Sequence, residues 1–482
     1  MKGICIRFLL LFTLIQMSCK GKEILVPPSS NYPNDGSISV YTTNHDGTIT
    51  LYKKPVNLKF QTKITANVVD IDIDINATKQ SMDGFGAALT GSSAYVLMTH
   101  LSAAQRAVCL KDLFDPKTGI GLSYLRLSIG ASDFSLNNFT YNDLSGTQTD
   151  TSMLNFSIAA EESMLIPVLK EIIAINPNIK IMASPWSAPA WMKSNKSLTN
   201  GGSVDYSYFN AYAKYFVKYI KAFQTNGIQI DAITIQNEPL YAAPYMSTEM
   251  SATAQADFIK TALGPAFEAN NITTKILIYD HNWDHPDYPI AVLGDADARK
   301  YIAGTAFHCY AGSVLAMTMV TDKYPDKGLY FTECSGGDWA PDFGGNLAWN
   351  AENLLIGAPR NGAKNVLFWN LALDENRGPK NNGCGNCRGV IGVNSSTKII
   401  DKNVEYYILG HSSKFVNKDA KLIQTIDTRS QGISQVAYLN TDGTKVLVTY
   451  NHLSTAQKIQ VNIGGQSFNY DIEAGAMVSF KW

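Results

Sequence analysis

Two short runs of the sequence end on an acid. The first, "IDAITIQNEP", covers Ile230–Pro239: alternating β-branched residues, then an amide (Asn237), a carboxylate (Glu238) and a proline side by side. The second, "YFTEC", covers Tyr330–Cys334 and reaches its acid at Glu333. An ionised carboxylate inside a strand core is costly unless paired. An acid at the end of an apolar run therefore points to a strand that stops at a cavity. Two such acids facing each other suit glycoside hydrolysis: one protonates the leaving oxygen, the other attacks the sugar or activates water. As a lone tripeptide, Asn-Glu-Pro is only a turn. Its force comes from the strand before it and the second glutamate downstream.

Other groups with chemical potential also follow strand-like runs. Arg126 and Asp133 lie in "YLRLSIGASDFS", Trp186 and Trp191 in "ASPWSAPAWMK", and Asp280, His281 and Trp283 in "YDHNWDH". His308 and Tyr310 lie in "FHCY", and Trp369 and Asn370 in "FWNLALDE". Each has a plainer reading. Arg126, flanked by leucines, suits a buried ion pair as well as a substrate contact. His308 suits a satisfied core histidine, Asp133 a loop or helix cap, and the tryptophans a core. Asp280, His281, Asp284 and His285 are metal-ligand types, but their loop spacing fits no metal motif. No metal and no cofactor are expected, and no glycine-rich dinucleotide fingerprint opens a helix.

These residues need elements to place them. Strand-like runs cover Met82–Leu89, Leu122–Gly130, Ile179–Trp186, Asp231–Gln236, Lys275–Asp280, Thr305–Tyr310, Gly328–Thr332 and Asn365–Leu371. Helical periodicity falls between and after them, at Ser102–Phe114, Ile158–Ile175, Tyr206–Gln224, Ala252–Asn270, Ala348–Gly362 and Val404–Phe415. This alternation over residues 81–417 predicts the α/β class and a (β/α)8 TIM barrel. A doubly wound open sheet is the competing layout. The barrel is favoured because polar residues end strand after strand, where that fold keeps its active sites. From 418 to 482 the runs "KLIQTID", "ISQVAYLN", "KVLVTYN", "KIQVNI", "SFNYDI" and "MVSFKW" follow at hairpin spacing. They predict an accessory antiparallel β-sandwich. The alternating run "KITANVVDIDIDIN" at 63–76 is expected to join it, so residues 37–80 would complete a sandwich built from N- and C-terminal strands.

The chain has 482 residues and a formal net charge of −1, so no footprint for nucleic acid appears. Lys2 and Arg7 precede an apolar run, Phe8–Ile15, and then Cys19. Residues 1–19 read as a lipoprotein-type signal peptide and 20–36 as a flexible tether. The expected location is outside the cytoplasm, at a bacterial outer membrane, cell surface or periplasm with attachment through a lipidated Cys19, and otherwise secreted. A monomer is expected. Beyond Cys5 and Cys19 there are five cysteines, at 109, 309, 334, 384 and 387. The odd number argues against a full disulfide framework, and "GCGNC" suits a local bridge between Cys384 and Cys387.

Taken together and in order, "MDGFGAALTGSSA", "LRLSIGASDFS", "ASPWSAPAWMK", "ITIQNEP", "HCY", "FTE" and "FWNLALDENRGPKNNGC" resemble glycoside hydrolase family 30, which includes glucosylceramidases and endo-β-1,6-glucanases. The resemblance implies retaining cleavage of β-glycosides, with Glu238 as acid/base and Glu333 as nucleophile. It implies substrate-binding roles for Asp133, Trp186, Asn237 and Trp369, support of the glutamates by His308 and Tyr310, and a place for Arg126 in the active-site hydrogen bonds. Glu333 is expected ionised and Glu238 protonated in the resting state. Gly91 and Cys309 depart from the family, which often has Asp at the first and, in lysosomal members, Trp at the second. The expected activity is that of an endo-β-1,6-glucanase acting on extracellular β-glucan. The alternatives are an exo-acting β-glucosidase or glucosylceramidase, a xylan-active enzyme, and a surface glycan-binding lipoprotein without activity.

Overall fold

The computed structural model describes residues 37–62 and 68–482. The signal peptide, the tether, Cys19 and the stretch 63–67 lie outside the described residues. The barrel strands are β1 (Gly84–Ala88), β2 (Tyr124–Ser128), β3 (Lys180–Ser184), β4 (Ala232–Thr234), β5 (Lys275–Asn282), β6 (Ile302–His308), β7 (Gly328–Glu333) and β8 (Ala363–Asn370). They close into a barrel in sequence order, β8 pairing with β1. The expected TIM barrel is therefore present.

The barrel interior is filled by side chains from successive strands. Tyr124, Met182, Ala232, Leu277, Ala306, Tyr330 and Leu367 form one buried cluster in which large and small residues mix. β1 contributes Gly86 to this crowded ring. A Cβ there would sit 1.8 Å from the Tyr124 carbonyl oxygen, so any side chain would force β1 and β2 apart. Outside, helices bury one face each. Helix Phe209–Thr225 covers the sheet with Tyr212, Tyr215, Phe216, Tyr219 and Phe223, spaced three and four apart.

Prolines explain where helices depart from the sequence reading. The run Ile158–Ile175 splits into a short turn, Ala159–Glu161, and a helix, Leu165–Ile175. Pro167 lacks an N–H and its ring crowds the carbonyl four residues back, so it is tolerated only in a first turn. Ala252–Ala269 is nearly continuous but passes through a widened turn at Ile259–Leu263, just before Pro265. The helix between β7 and β8 starts earlier than expected, at Phe343, where Asp342 caps it by accepting from the Gly345 N–H.

The accessory sandwich draws on both ends of the described chain. Ser37–Thr43 pairs antiparallel with Met477–Lys481. Val69–Ser81 pairs antiparallel with Lys421–Thr425 and parallel with Gln457–Ile463. In "VDIDIDI" the apolar positions Val69, Ile71 and Ile73 turn into the sandwich core. Asp70 and Asp72 face away and accept from the amides of Gln460 and Asn462.

One histidine joins the two parts. His411, on the helix Val404–Ser413, is fully buried with Nδ1 2.8 Å from Ser479 Oγ and Nε2 2.8 Å from Thr43 Oγ1. Ser479 Oγ already donates to the His411 carbonyl, so it must accept from Nδ1–H. Thr43 Oγ1 accepts from the Leu51 N–H and donates to Nε2. This wiring needs the neutral ring, and burial lowers the imidazole pKa to about 3. Below the unfolded value of about 6.5 the unfolded chain takes up a proton that the folded chain refuses. Stability should fall with pH from there toward 3, with this residue contributing up to about 1.4 kcal/mol per pH unit. Denaturant titrations between pH 7 and 4 should show a shallower slope for His411→Gln; an unchanged slope would remove His411 as the acid-labile point.

Candidate active site

The C-terminal ends of the strands converge on a cavity of about 580 Å³. Asp133, Trp186, Asn237, Glu238, Tyr310, Glu333 and Trp369 all line it. The regular part of β4 stops at Thr234, and the segment that follows is held by two backbone bonds. Asn237 N–H donates to the Pro185 carbonyl at 2.9 Å and Glu238 N–H to the Asp280 carbonyl at 3.0 Å. Glu238 adopts a left-handed φ of 46°. Such a conformation costs roughly 1–3 kcal/mol in a non-glycine residue and persists only where the surroundings impose it.

An oxygen of Glu238 lies within 4.8 Å of an oxygen of Glu333. Such closeness accords with pairs in which the second carboxylate attacks directly, whose carboxyl groups lie about 5–5.5 Å apart. Glu333 is held by two donors: Arg126 Nη1 to Oε2, and Tyr310 Oη to Oε1 at 2.9 Å. Glu238 meets one group, His308 Nδ1, at 3.2 Å.

Beneath the pair lies a residue the sequence reading named only in passing. Asp280 is completely buried, with Oδ2 2.8 Å from Arg126 Nη2, 2.9 Å from Ser184 Oγ and 2.7 Å from Thr234 Oγ1. Its Oδ1 is 3.0 Å from His308 Nε2 and 2.7 Å from Thr332 Oγ1. Burial opposes its charge, but Arg126 and His308 outweigh that and hold its carboxyl far below the usual range. A bulge in β5 delivers it. The register shifts between Tyr279 and His281, and Tyr279 and Asp280 take φ of 74° and 62°. The Tyr279 N–H donates to Gln255 Oε1 at 3.0 Å.

Arg126 and His308 are both fully buried and absent from the cavity wall. They contact the carboxylates from behind, His308 touching Glu238 and Asp280 and Arg126 touching Glu333 and Asp280. Arg126 Nη2 also donates to Asn237 Oδ1 at 2.7 Å, and its guanidinium carbon lies 4.9 Å from the ring centre of Trp186 and 5.5 Å from that of Trp369. Those two indoles stack with centroids 5.1 Å apart. Asp133 is buried with Oδ1 unpartnered, and burial pushes its carboxyl well up, assisted by the charges of Glu333 and Glu238.

Two cations, Arg126 and His308, thus face three acids. Burial works against the imidazolium, yet Glu333 and Asp280 raise its pKa to about 9. Burial also raises Glu333, with His308 and Arg126 opposing. Glu238 is lowered, because the His308 hydrogen bond and charge outweigh its burial. The expectation of a proton resting on Glu238 thus meets an opposing pull, since the His308 contact favours the Glu238 anion while burial disfavours that of Glu333.

Some residues fall elsewhere. Trp191 Nε1 donates into the Asn142 loop and is core. Arg360 binds Thr425 and Gln435, and Arg377 pairs with Asp338. His281 lines the cavity too, and so do Tyr245 and Trp339, which the sequence did not mark. Cys384 and Cys387 are bonded to each other at its rim. Cys309, the departure noted in "HCY", is bonded to Cys334, the neighbour of Glu333, while Cys109 is buried and unbonded.

A TIM barrel with this paired-carboxylate mouth defines a class, and the comparisons agree. The Glycosyl hydrolase family 30 TIM-barrel domain matches residues 82–416 and the family's beta sandwich domain matches 419–480, so the chain belongs to glycosyl hydrolase family 30 and is a glycoside hydrolase. Among its relatives, an endo-1,6-beta-D-glucanase of Trichoderma harzianum is 35% identical over 420 residues, spanning 80% of this chain and 82% of that one. The lysosomal acid glucosylceramidase of Mus musculus is 29% identical, spanning 84% and 81%. A solved endo-beta1,6-glucanase superposes with a TM-score of 0.86 at 38% identity, covering 93% of this chain and 99% of that one.

Proposed function

We propose that the protein cleaves β-1,6-linked glucan within the chain, with retention at the anomeric carbon. The observation that carries the mechanism is the close Glu238–Glu333 pair with unequal partners. Glu333, aimed by Arg126 and Tyr310, attacks the anomeric carbon and forms a glycosyl ester. Glu238, with His308 Nδ1 3.2 Å from its Oε1, donates a proton to the leaving oxygen. Once Glu333 is esterified its charge is gone, so Glu238 serves as base for the incoming water. Asn237, pinned through Oδ1 by Arg126, keeps its amide nitrogen for a sugar hydroxyl. Asp133, buried and unpartnered, offers an acceptor to hydroxyls over the Trp186–Trp369 floor.

Two observations support glucan as substrate. The Trichoderma harzianum relative and the superposed solved structure are both named endo-β-1,6-glucanases, and no Lys or Arg among the described residues lines the cavity. A neutral sugar fits such a wall better than an acidic one, which weighs against a glucuronic-acid-bearing xylan. The test is product analysis on pustulan, laminarin and xylan. Soluble oligosaccharides from pustulan, with little release from the other two, are expected. Glucose as sole product would replace endo with exo action, and cleavage confined to xylan would overturn the substrate reading.

A further inference from the structure

Beside the catalytic cavity lies a second one, of about 550 Å³. Tyr310 and Trp339 line both. Past them the second cavity runs over the Cys309–Cys334 bridge to Trp349, on the helix Phe343–Asn350. No charged side chain among the described residues lines it. Trp339 is 54% exposed and Trp349 43%, large apolar faces that the fold itself does not use.

We propose that this cavity binds the leaving-group side of the glucan, with Trp349 as a stacking platform one or more sugar units beyond the scissile bond. The proposal rests on the β-glucan reading above. Direction is the first reason. The groups suited to the sugar that becomes esterified are Asp133 and Trp186, which follow β2 and β3, and Trp369, near the end of β8, whereas the second cavity is carried by the ends of β6 and β7 and the helix after them. A chain held at the first set and cut between Glu238 and Glu333 continues toward the second. Continuity is the second reason: Tyr310, which donates to Glu333, and Trp339 form the shared wall. Chemistry is the third. Flat apolar walls with a few neutral polar groups, here Ser335, Asn346 and Asn350, match a pyranose ring, which is apolar on its faces and hydroxylated at its edge. The extra rotatable bond of a 1,6 linkage lets the chain bend around Trp339.

The experiment is Trp349→Ala, assayed on β-1,6-linked gluco-oligosaccharides of increasing length, on an aryl β-glucoside and on a long-chain alkyl β-glucoside. KM for the longest oligosaccharides should rise about two- to tenfold, the size of one aromatic contact. The shortest substrates and the aryl glucoside should be unaffected, and Trp349→Phe should restore most of the loss. Oligosaccharide kinetics unchanged at every length would overturn this inference alone. A rise confined to the alkyl glucoside would overturn it in favour of a lipid-like leaving group. If the unsubstituted enzyme cleaves no β-1,6-linked oligosaccharide, the substrate reading falls and this inference with it.

Discussion

Glu333→Gln should reduce turnover of any β-glucoside by at least roughly 10³-fold, the scale of removing a nucleophile, while leaving the protein folded. The amide keeps the shape of the side chain, its oxygen can accept from Arg126 while the Tyr310 hydroxyl turns to accept from its NH2, and Arg126 keeps its pairing with Asp280. What is lost is the atom that bonds to the sugar. Glu333→Gly opens the space that atom filled, and azide added to that variant should restore cleavage of an activated aryl glucoside. The product should be a glycosyl azide of inverted configuration, since azide attacks from the face Glu333 occupied. Glu238→Ala should behave differently. It should spare substrates with good leaving groups more than natural ones, and azide should give the retained anomer. Turnover of natural substrate by Glu333→Gln at an undiminished rate would refute the assignment.

The second large effect is expected at Arg126, and it should appear in stability as well as in rate. Arg126→Met keeps the apolar stem but removes the cation that lies against Trp186 and Trp369. Asp280 then stays buried with His308 as its remaining charged partner. Breaking a buried ion pair from one side typically costs about 3–5 kcal/mol, a large share of the roughly 5–15 kcal/mol that holds a folded protein together. Glu333 loses a charge that stabilises its anion, so its pKa should rise. The acid limb of the kcat/KM profile should move to higher pH, because the nucleophile is protonated over a wider range. Arg126→Lys should rescue only in part, since one ammonium cannot span Glu333, Asn237, Asp280 and Ser184. Denaturant unfolding and a pH–rate profile test both claims. A loss below 1 kcal/mol with an unmoved acid limb would contradict them.

Glu238 and Glu333 could be found from the sequence because each ends an apolar run, a local signal. Asp280 could not be weighed the same way. It also ends a strand, but it matters through Arg126, Ser184, Thr234, His308 and Thr332, which lie on five other strands. The bulge that turns it inward leaves no mark in "ILIYDHN", since left-handed φ at Tyr279 and Asp280 is imposed by packing rather than by residue type. Cys309–Cys334 escaped for a similar reason: five cysteines with one left over do not reveal which pair. Strand placement was the most legible feature. Alternation and apolar runs report burial directly, whereas helix ends depended on Pro167, Pro265 and Asp342, whose effects are local and steric.

The pairing of Ser37–Thr43 with Met477–Lys481 has a consequence for how the molecule is made. The first of these strands leaves the ribosome early, and its partner emerges only after the whole barrel. Until then Ile38 and Val40, both buried in the finished sandwich, have only early neighbours such as Leu58 beside them, and the edge that takes Met477–Lys481 stays open. Thr43 likewise waits for His411 to arrive 368 residues later. The barrel can fold around its own parallel ladder during synthesis, but the sandwich closes only after the last strand is released. Removal of Met477–Lys481 would therefore expose an edge at Ser37–Thr43, far away in the sequence, to aggregation.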